Sequence, residues 1–503
     1  QSIRYRWQKN KEICSYYKYM ILKSVLTPFL FGLVGIFAFA PFSIEFLIFV
    51  SYIYLIYELI SYKKASFLRI FFWGIGHWGF GMSWIIVSVH YYGETTIALS
   101  AFIYILLTII LALVFTSPLI IINKLLLNIE IKNIFIKIFI VSTLLLISEA
   151  SRYLLLNGVP WLIPGNIFID TVTQNIYPIF GVSSASFLLY LLCVSILTLK
   201  NKKTFYAILV LSFICVLPQY KSEEKEGNFL VTIIQPSSDP FLKYTAGYYE
   251  TIENNLLELI NESSTESQLI VLPEAELPYS IQQSRFNDFL QKSNISEKIL
   301  LGAWSVEDNK LFNVIYNPNN NTLYKKKHLV PFGEYIPFIS SLRGLIDFFD
   351  LPMSNVIHGQ DNQNNIKINN NITVATPICF DIAFPRTVRK MNQSSDFIIN
   401  ISNDTWFGSS IGPHHHLEIA RIRSIENDKW TIRATNDGYS AFISNKGTIV
   451  DFLSKGDVGI LEGHVNLRES RSFYNEYGYI FSYVIIFISL LMFLMVCFRS
   501  KKV

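Results

Sequence analysis

Charged residues are scarce in this 503-residue chain: they make up 16% of it, against about 25% in an ordinary soluble protein. Hydrophobic residues make up 51%, and the formal net charge is only +4. This composition excludes a disordered chain and argues against a single soluble domain of this length. The few basic clusters flank apolar runs, so no nucleic-acid partner is expected.

Cysteine is also rare, and its placement excludes a disulfide framework. Of the five cysteines, only Cys379 lies in the segment 221–476, and the others lie in the N-terminal tail or in and beside apolar runs. Cys379 therefore has no partner for a disulfide within its own segment. A lone thiol in an oxidising compartment is a liability unless it is buried or used.

The charges that are present divide the chain into parts. Residues 221–476 hold 31 acids and 23 bases, whereas the rest of the chain holds 7 acids and 19 bases. We therefore predict a membrane domain at 1–220, a soluble domain at 221–476, and a C-terminal transmembrane helix with a short tail at 477–503.

Apolar runs that approach the bilayer-spanning length of about 20 residues recur along the membrane part. The eight predicted spans are Ser24–Phe39, Ser43–Ile60, Ser66–His90, Ile97–Ile122, Ile134–Leu155, Ile179–Leu199, Thr204–Leu217 and Gly478–Phe498. The first run could instead be a cleavable signal peptide ending at Ala38-Phe39-Ala40. Pro41 follows directly and disfavours cleavage, so an uncleaved span is the preferred interpretation.

Lys and Arg cluster on one side of this arrangement. Eighteen of them fall in tails and loops on the same side, and Arg152 alone belongs to the short segments of the other side. Because Lys and Arg are retained in the cytoplasm, both termini are predicted to be cytoplasmic. The domain at 221–476 is then predicted to lie outside the inner membrane.

Apolar runs alternate with helical patterns in the soluble part, which is typical of an α/β domain. The predicted strands are Leu230–Ile234, Leu269–Leu272, Ile299–Trp304, Leu311–Tyr316, Ile372–Cys379, Phe397–Ser402 and Trp430–Ala434. The predicted helices are Gly247–Asn261, Ile281–Lys292, Phe384–Met391 and Gly412–Glu426. In such sheets reactive side chains collect where strands end.

Three reactive groups lie at or near predicted strand ends: Glu274, Lys326 and Cys379. At an ordinary pKa only about 3% of a cysteine is thiolate at neutral pH, so a nearby carboxylate is needed to take the proton. A nearby ammonium can stabilise the oxyanion that follows attack on a carbonyl. Taken singly, each residue has a plain alternative: a solvated loop acid, a basic surface patch and an inert core thiol.

The sequence around these residues resembles known proteins. Leu272-Pro273-Glu274, the segment Tyr324–Glu334 and Ile378-Cys379-Phe380-Asp381 resemble the Glu–Lys–Cys signature of the nitrilase (carbon–nitrogen hydrolase) superfamily. Other stretches resemble the apolipoprotein N-acyltransferase family over nearly the full chain: Ala40-Pro41-Phe42, Gly74–Trp84, Glu149-x-x-Arg152, Gly158–Trp161, Ile401–Gly408 and Gly412–His416.

The resemblance implies a polytopic helical membrane domain joined to an αββα nitrilase-like domain that faces the periplasm of a bacterium. It implies that Cys379 attacks an acyl ester of a membrane phospholipid to give a thioester. The α-amino group of a diacylglyceryl-apolipoprotein then accepts the acyl chain. Glu274 would be the general base and Lys326 the oxyanion stabiliser, without a cofactor or a metal, in a monomer surrounded by membrane lipids.

Four further residues have supporting roles in this interpretation. Glu334 would pair with Lys326 and orient it, and Asn403 and Trp406 would shape the pocket wall. Phe380-Asp381 stands where many family members carry Tyr-Glu. Because Asp381 is one methylene shorter, any contact that the Glu makes must be re-aimed or lost.

Three other segments are open to interpretation. The run His414–His416 could suggest a metal, but consecutive helical residues point about 100° apart, so a structural role is favoured. The apolar segment Phe338–Met353 is hypothesised to be a membrane-facing lid. Glu149 and Arg152 are three apart and can pair on one helix face.

Two other functions compete with acyl transfer. The first is a membrane-tethered amidase that uses water as the acceptor, although eight spans exceed what tethering needs. The second is a transporter or receptor with an inactive nitrilase-like sensor domain, which would be expected to lose Glu274, Lys326 or Cys379.

Overall fold

The computed structural model describes residues 22–61, 66–92, 95–127, 129, 131–220, 227–331, 333–334 and 356–500. The N-terminal part is helical, and a last apolar helix, Ile480–Ser500, follows the soluble part. The N-terminal helices are α1 (Leu22–Ala38), α2 (Phe46–Ile60), α3 (Ser66–Gly81), α4 (Trp84–Tyr91), α5 (Ile97–Leu127), α6 (Ile134–Leu154), α7 (Val182–Thr198) and α8 (Lys202–Cys215).

Three helices within the described residues are long and apolar enough to cross a bilayer: Ile97–Leu126, Ile134–Asn157 and Ile480–Phe498. Helices α3 and α4 meet the same test only as a pair that is bent by 52°. Helices α1, α2 and α7 are shorter apolar helices. The chain is therefore a membrane protein, and the count of eight spans stays a prediction.

The third predicted span, Ser66–His90, is broken at Gly81. A Cβ atom at Gly81 would lie 2.3 Å from a methyl carbon of Leu162, so a loop occupies the space at the break. Glycine also brings α1 and α3 together, because a Cβ on Gly32 or Gly76 would lie 2.0 Å from a backbone oxygen of the other helix. Such small residues allow membrane helices to pack closely.

The soluble part contains two six-stranded sheets. The first has the order β12-β1-β2-β3-β4-β5 and the second the order β11-β10-β9-β8-β7-β6. The strands are β1 (Phe229–Gln235), β2 (Leu269–Leu272), β3 (Ile299–Glu307), β4 (Lys310–Asn317), β5 (Thr322–Lys325), β6 (Ile366–Lys367), β7 (Thr373–Ala375), β8 (Phe397–Ser402), β9 (Thr431–Thr435), β10 (Ser440–Ile443), β11 (Ile449–Leu453) and β12 (Gly459–Val465).

The helices α9 (Tyr249–Glu262) and α10 (Ser284–Ser293) cover one face of the first sheet, where Ile270 and Leu272 share a core with Phe286 of α10. The other face packs on the second sheet, which α11 (Pro385–Met391) and α12 (Gly412–Asn427) cover from outside. Strands β2 and β8 are parallel to both their neighbours and fully buried, which explains why their sequences are mostly apolar. The layers form an αββα sandwich.

The predicted strand Ile372–Cys379 is wrong at its end. Strand β7 stops at Ala375, and Cys379 begins a 3₁₀ helix, Cys379–Ala383. Pro377 has no N–H to give to a sheet, and the side chain of Asp381 accepts the N–H of Ile378 at 3.3 Å. The short strands β5, β6, β10, β11 and β12 were not predicted.

Helix α12 joins the soluble part to the membrane part. Its Glu426 accepts the backbone N–H of Val182, at the start of α7, at 2.7 Å. Its Arg421 lies 2.6 Å from the carboxylate of Asp170, in the loop before α7. These buried and half-buried contacts fix the position of the α/β sandwich on the helices.

Candidate active site

Glu274 and Lys326 meet at one edge of the first sheet. Glu274 follows β2 and Lys326 follows β5, and Oε1 of Glu274 lies 2.8 Å from Nζ of Lys326. The lysine side chain is 1% exposed, so it is not part of a hydrated basic patch. Gly302 of β3 leaves room for the backbone beside Glu274, because a Cβ at position 302 would lie 2.4 Å from the carbonyl oxygen of Pro273.

Lys326 has a second carboxylate partner. Its Nζ lies 2.9 Å from Oε1 of Glu334, whose Oε2 accepts the backbone N–H of Val330 at 2.8 Å. The amide of Asn313 donates to Glu274 at 2.7 Å and to Glu334 at 3.3 Å. One ammonium is therefore held between two carboxylates, and Asn313 spaces them.

Cys379 lies within the electrostatic reach of this group. Burial alone would lower the pKa of Lys326, but its electrostatic interactions with Cys379, Glu274 and Glu334 raise it well above its usual value. Burial and the Glu274 carboxylate raise the pKa of the Cys379 thiol, and Lys326 only partly opposes this. The lysine is thus charged and the resting thiol protonated at neutral pH, so the thiol needs a base before it attacks.

Asp381 holds the nucleophile turn against the lysine segment. Its carboxylate accepts the backbone N–H groups of His328 at 2.7 Å, Ile378 at 3.3 Å and Lys327 at 3.4 Å, and the hydroxyl of Tyr324 at 3.1 Å. Burial raises the pKa of Asp381 to about 6, although these hydrogen bonds oppose the shift. The Asp381 side chain, which is one methylene shorter than Glu, therefore accepts mainly from backbone N–H groups.

Asn403 contacts the site through its backbone, whereas the backbone of Trp406 contacts the membrane part. The N–H of Asn403 donates to Oε2 of Glu274 at 2.9 Å, and its side chain accepts the N–H of Thr405 at 3.3 Å. The backbone carbonyl of Trp406 accepts a hydrogen bond at 2.6 Å from the hydroxyl of Ser88, which lies in α4. Their role in a pocket wall stays a prediction.

The three histidines of His414–His416 point to different partners. His414 lies 3.4 Å from the hydroxyl of Tyr439, His415 accepts the indole N–H of Trp161 at 3.1 Å, and His416 lies 2.9 Å from Asp404. In the part of the chain that the structure describes, no group of three or more His, Cys, Asp or Glu side chains could hold a metal ion.

The predicted pair of Glu149 and Arg152 is wrong. Glu149 accepts the hydroxyl of Tyr190 at 2.8 Å, and Arg152 donates to the backbone carbonyls of Trp161 and Leu162. Over the described ranges these two residues form no ion pair with each other; Glu149 bonds to another helix and Arg152 to a loop. The proposed lid, Phe338–Met353, lies outside the described residues.

Sequence reasoning missed several residues that support the site, among them Asn313, Asn400, Asp404 and Arg433. Asn313, Asn400 and Arg433 lie on β4, β8 and β9, where a polar side chain in an apolar run was the only signal. Asp404 follows β8 and stands in the stretch Ile401–Gly408, which resembles the family. His416 was noticed in the histidine run, but its contact with the nucleophile turn was not predicted.

Comparisons with known proteins cover both parts of the chain. A family model described as the apolipoprotein N-acyltransferase N-terminal domain matches residues 31–195, and the carbon-nitrogen hydrolase model matches residues 230–475. An apolipoprotein N-acyltransferase of Haemophilus influenzae is 31% identical over 502 residues, covering 94% of each chain. That of Pseudomonas syringae pv. tomato is 31% identical and covers 76% of this chain and 79% of its own.

A solved structure also aligns with the soluble part. It is XC1258 from Xanthomonas campestris, a CN-hydrolase superfamily protein, with 14% identity and a TM-score of 0.36, covering 47% of this chain and 90% of its own. The fold assignment rests on the family model of the soluble part and on its two sheets.

Proposed function

The chain belongs to the apolipoprotein N-acyltransferase family, and on that premise we propose that it transfers a fatty acyl chain from a membrane phospholipid to apolipoproteins. The acceptor is the α-amino group of their N-terminal diacylglyceryl-cysteine. The observation that carries the proposal is the buried Lys326, which is held by Glu274 and Glu334 and is electrostatically coupled to Cys379.

In the first half-reaction, Sγ of Cys379 attacks the ester carbonyl while the Glu274 carboxylate takes the thiol proton. Lys326 stabilises the oxyanion of the tetrahedral intermediate. The ester C–O bond then breaks, and Glu274 returns the proton to the leaving oxygen. The products are an acyl thioester on Cys379 and a lysophospholipid, and Glu274 is again a carboxylate.

In the second half-reaction, the neutral α-amine attacks the thioester carbonyl. Glu274 takes a proton from the amine, the C–S bond breaks, and the proton returns to the Cys379 sulfur. The products are an amide and the resting thiol. Since one nucleophile serves two substrates in turn, the kinetics are ping-pong.

The proposal includes the arrangement in the membrane. The protein is a monomer with eight spans in the inner membrane, its catalytic domain (221–476) faces the periplasm, and the parts at 1–220 and 477–503 hold the spans. The distribution of Lys and Arg supports this arrangement. A periplasm-dependent reporter fused after residue 228 should be active, and the same reporter fused after residue 200 should be inactive.

The test of function uses the full chain in phospholipid vesicles with a diacylated lipopeptide that has a free N-terminal amine. Mass spectrometry should show one more acyl chain on the peptide and an equal amount of lysophospholipid. Cys379→Ala should abolish both products. Free fatty acid without triacylated peptide would indicate a hydrolase and would overturn the proposal.

The thioester has its own test. Incubation with phospholipid alone should add one acyl mass to the intact protein, at Cys379, and hydroxylamine should remove it. Lysophospholipid formed without acylated protein would contradict the covalent intermediate.

A further inference from the structure

A buried imidazole contacts the backbone of the nucleophile turn. His416 lies in the first turns of α12 and is 1% exposed, and its Nε2 lies 3.2 Å from the carbonyl oxygen of Cys379. Because a carbonyl oxygen can only accept, Nε2 carries a hydrogen and donates it. The contact joins α12, which covers the outer face of the second sheet, to the residue that bears the reactive sulfur.

The other side of the ring is fixed by two charged residues that are fully buried. Nδ1 lies 2.9 Å from Oδ1 of Asp404 and 3.0 Å from Nη2 of Arg433. A neutral ring accepts from Arg433, and a protonated ring donates to Asp404. The Nε2–H is the same in both states, so the hydrogen bond to Cys379 does not depend on the charge of the ring.

The nucleophile turn needs such support because of its backbone conformation. Cys379 has φ +46°, in the left-handed region, which is strained for a residue that bears a side chain. Two residues earlier, the backbone carbonyl of Pro377 accepts a hydrogen bond from the side-chain amide of Asn400 at 2.9 Å. Arg433 bonds to Asn400 as well as to Asp404, so one guanidinium supports both carbonyl contacts.

We propose that His416 is a positioning residue for the nucleophile. Its Nε2–H holds the Cys379 peptide in the left-handed conformation, so that the sulfur stays directed at Glu274 and Lys326, and Asp404 and Arg433 hold the ring for that purpose. The inference rests on the proposed function only in taking Cys379 as the nucleophile.

The test separates the hydrogen bond from the bulk of the side chain. In His416→Gln the amide nitrogen takes the place of Nε2 and keeps the donor, whereas His416→Met has similar length and no donor. In His416→Asn the amide takes the place of Nδ1 and loses the contact with Cys379. His414→Asn, on the same helix and against Tyr439, is the matched control.

The first readout is the rate at which iodoacetamide alkylates Cys379 in the full chain, assigned by peptide mass spectrometry. We expect His416→Met and His416→Asn to be slowed about tenfold, the effect of one hydrogen bond, and His416→Gln to stay within about threefold of the parent protein. In lipopeptide acylation kcat should fall in the same order, with KM for the lipopeptide unchanged. Thermal midpoints in detergent show which variants are folded.

Parent-like alkylation of either folded donor-less variant would overturn the proposal, and so would equal slowing of His416→Gln and His416→Met. If neither donor-less variant folds, Asp404→Asn replaces them, and it must slow alkylation because it weakens the hold of Asp404 on the ring and on Arg433, which also contacts the ring. Alkylation needs no acyl transfer, so a failure of the proposed function in the parent protein leaves this comparison readable.

Discussion

The carboxylate of Asp381 lies 2.7 Å from the backbone nitrogen of His328, and this hydrogen bond joins the segment that carries Lys326 to the turn that carries Cys379. The two segments belong to different sheets, since Lys326 follows β5 and Cys379 follows β7. The candidate site is therefore assembled across the interface of the sandwich. Its geometry depends on how firmly the sheets are held together at that point.

Asp381→Asn should weaken this connection. The carboxylate accepts from four groups, and the amide nitrogen of Asn would face at least one of them with another donor. Leaving such a buried donor without an acceptor costs about 1–3 kcal/mol. We expect a lower thermal midpoint in detergent and slower alkylation of Cys379.

The matched control for this change is Asp361→Asn. Asp361 pairs with Lys327 at 2.8 Å, but its side chain is 83% exposed, so its loss should have little effect. If Asp381→Asn melts and reacts like the parent protein, the four hydrogen bonds do not hold the site together.

The thiol of Cys379 should not behave as a preformed thiolate. Burial and the Glu274 carboxylate raise its pKa above the usual value, and Lys326 opposes this only in part. The rate of alkylation by iodoacetamide should therefore rise about tenfold for each pH unit between pH 7 and pH 9. A plateau that begins near pH 7 would show a stabilised thiolate and contradict the need for a base.

Much of this fold could be predicted because many of its strands and helices are recognisable from their own sequences. Strands β2 and β8 have the predicted bounds, since both are mostly apolar runs bounded by turn residues. The position of Glu274 after β2 followed from the same pattern, whereas β5, the strand that precedes Lys326, was not predicted. Their proximity did not, because it depends on the order of strands in the sheet.

The errors arose where a group binds a partner other than the one that its sequence pattern indicates. The run up to Cys379 has strand-like composition, but Asp381 accepts a backbone N–H there and a 3₁₀ turn forms. Glu149 and Arg152 have the spacing of a helical ion pair, but Tyr190 and a loop carbonyl satisfy them first. Tyr190 lies 41 residues from Glu149, so it is visible as a partner only in the folded chain.

Glu334→Gln should impair catalysis by loosening Lys326. The variant keeps an oxygen near Nζ but removes one of the two charges that hold the buried ammonium. Because a buried charge depends strongly on its partners, we expect kcat for lipopeptide acylation to fall about tenfold, with a smaller change in KM. Steady-state rates at saturating phospholipid measure this.

The neighbouring lysine offers the control. Lys325 pairs with Glu307 at 2.5 Å, and the side chains are 21% and 44% exposed. An exposed pair contributes about 0–1 kcal/mol, so Glu307→Gln should change kcat less than twofold. Equal effects of the two substitutions would show that burial of the Lys326 pair is not what matters.

Glu418 should make the stability of the protein depend on pH near neutrality. It lies on α12, which contacts the membrane part, and burial raises its pKa to about 7, although Arg421 and a backbone contact at Ala40 oppose the shift. The folded protein thus holds a proton that the unfolded chain releases above pH 4.5, the ordinary pKa of a glutamate. The stability from this proton is complete below that value and is lost as the pH rises through about 7.

The thermal midpoint in detergent should therefore fall between pH 5.5 and pH 8.5, and Glu418→Gln should flatten that slope. The amide stays neutral at every pH, so the folded and unfolded states then bind protons equally at this position. Glu258→Gln, an exposed change on α9, should keep the parent slope. Because other titrating groups contribute equally to all three proteins, an unchanged slope in Glu418→Gln would mean that Glu418 is already ionised at neutral pH in the folded chain.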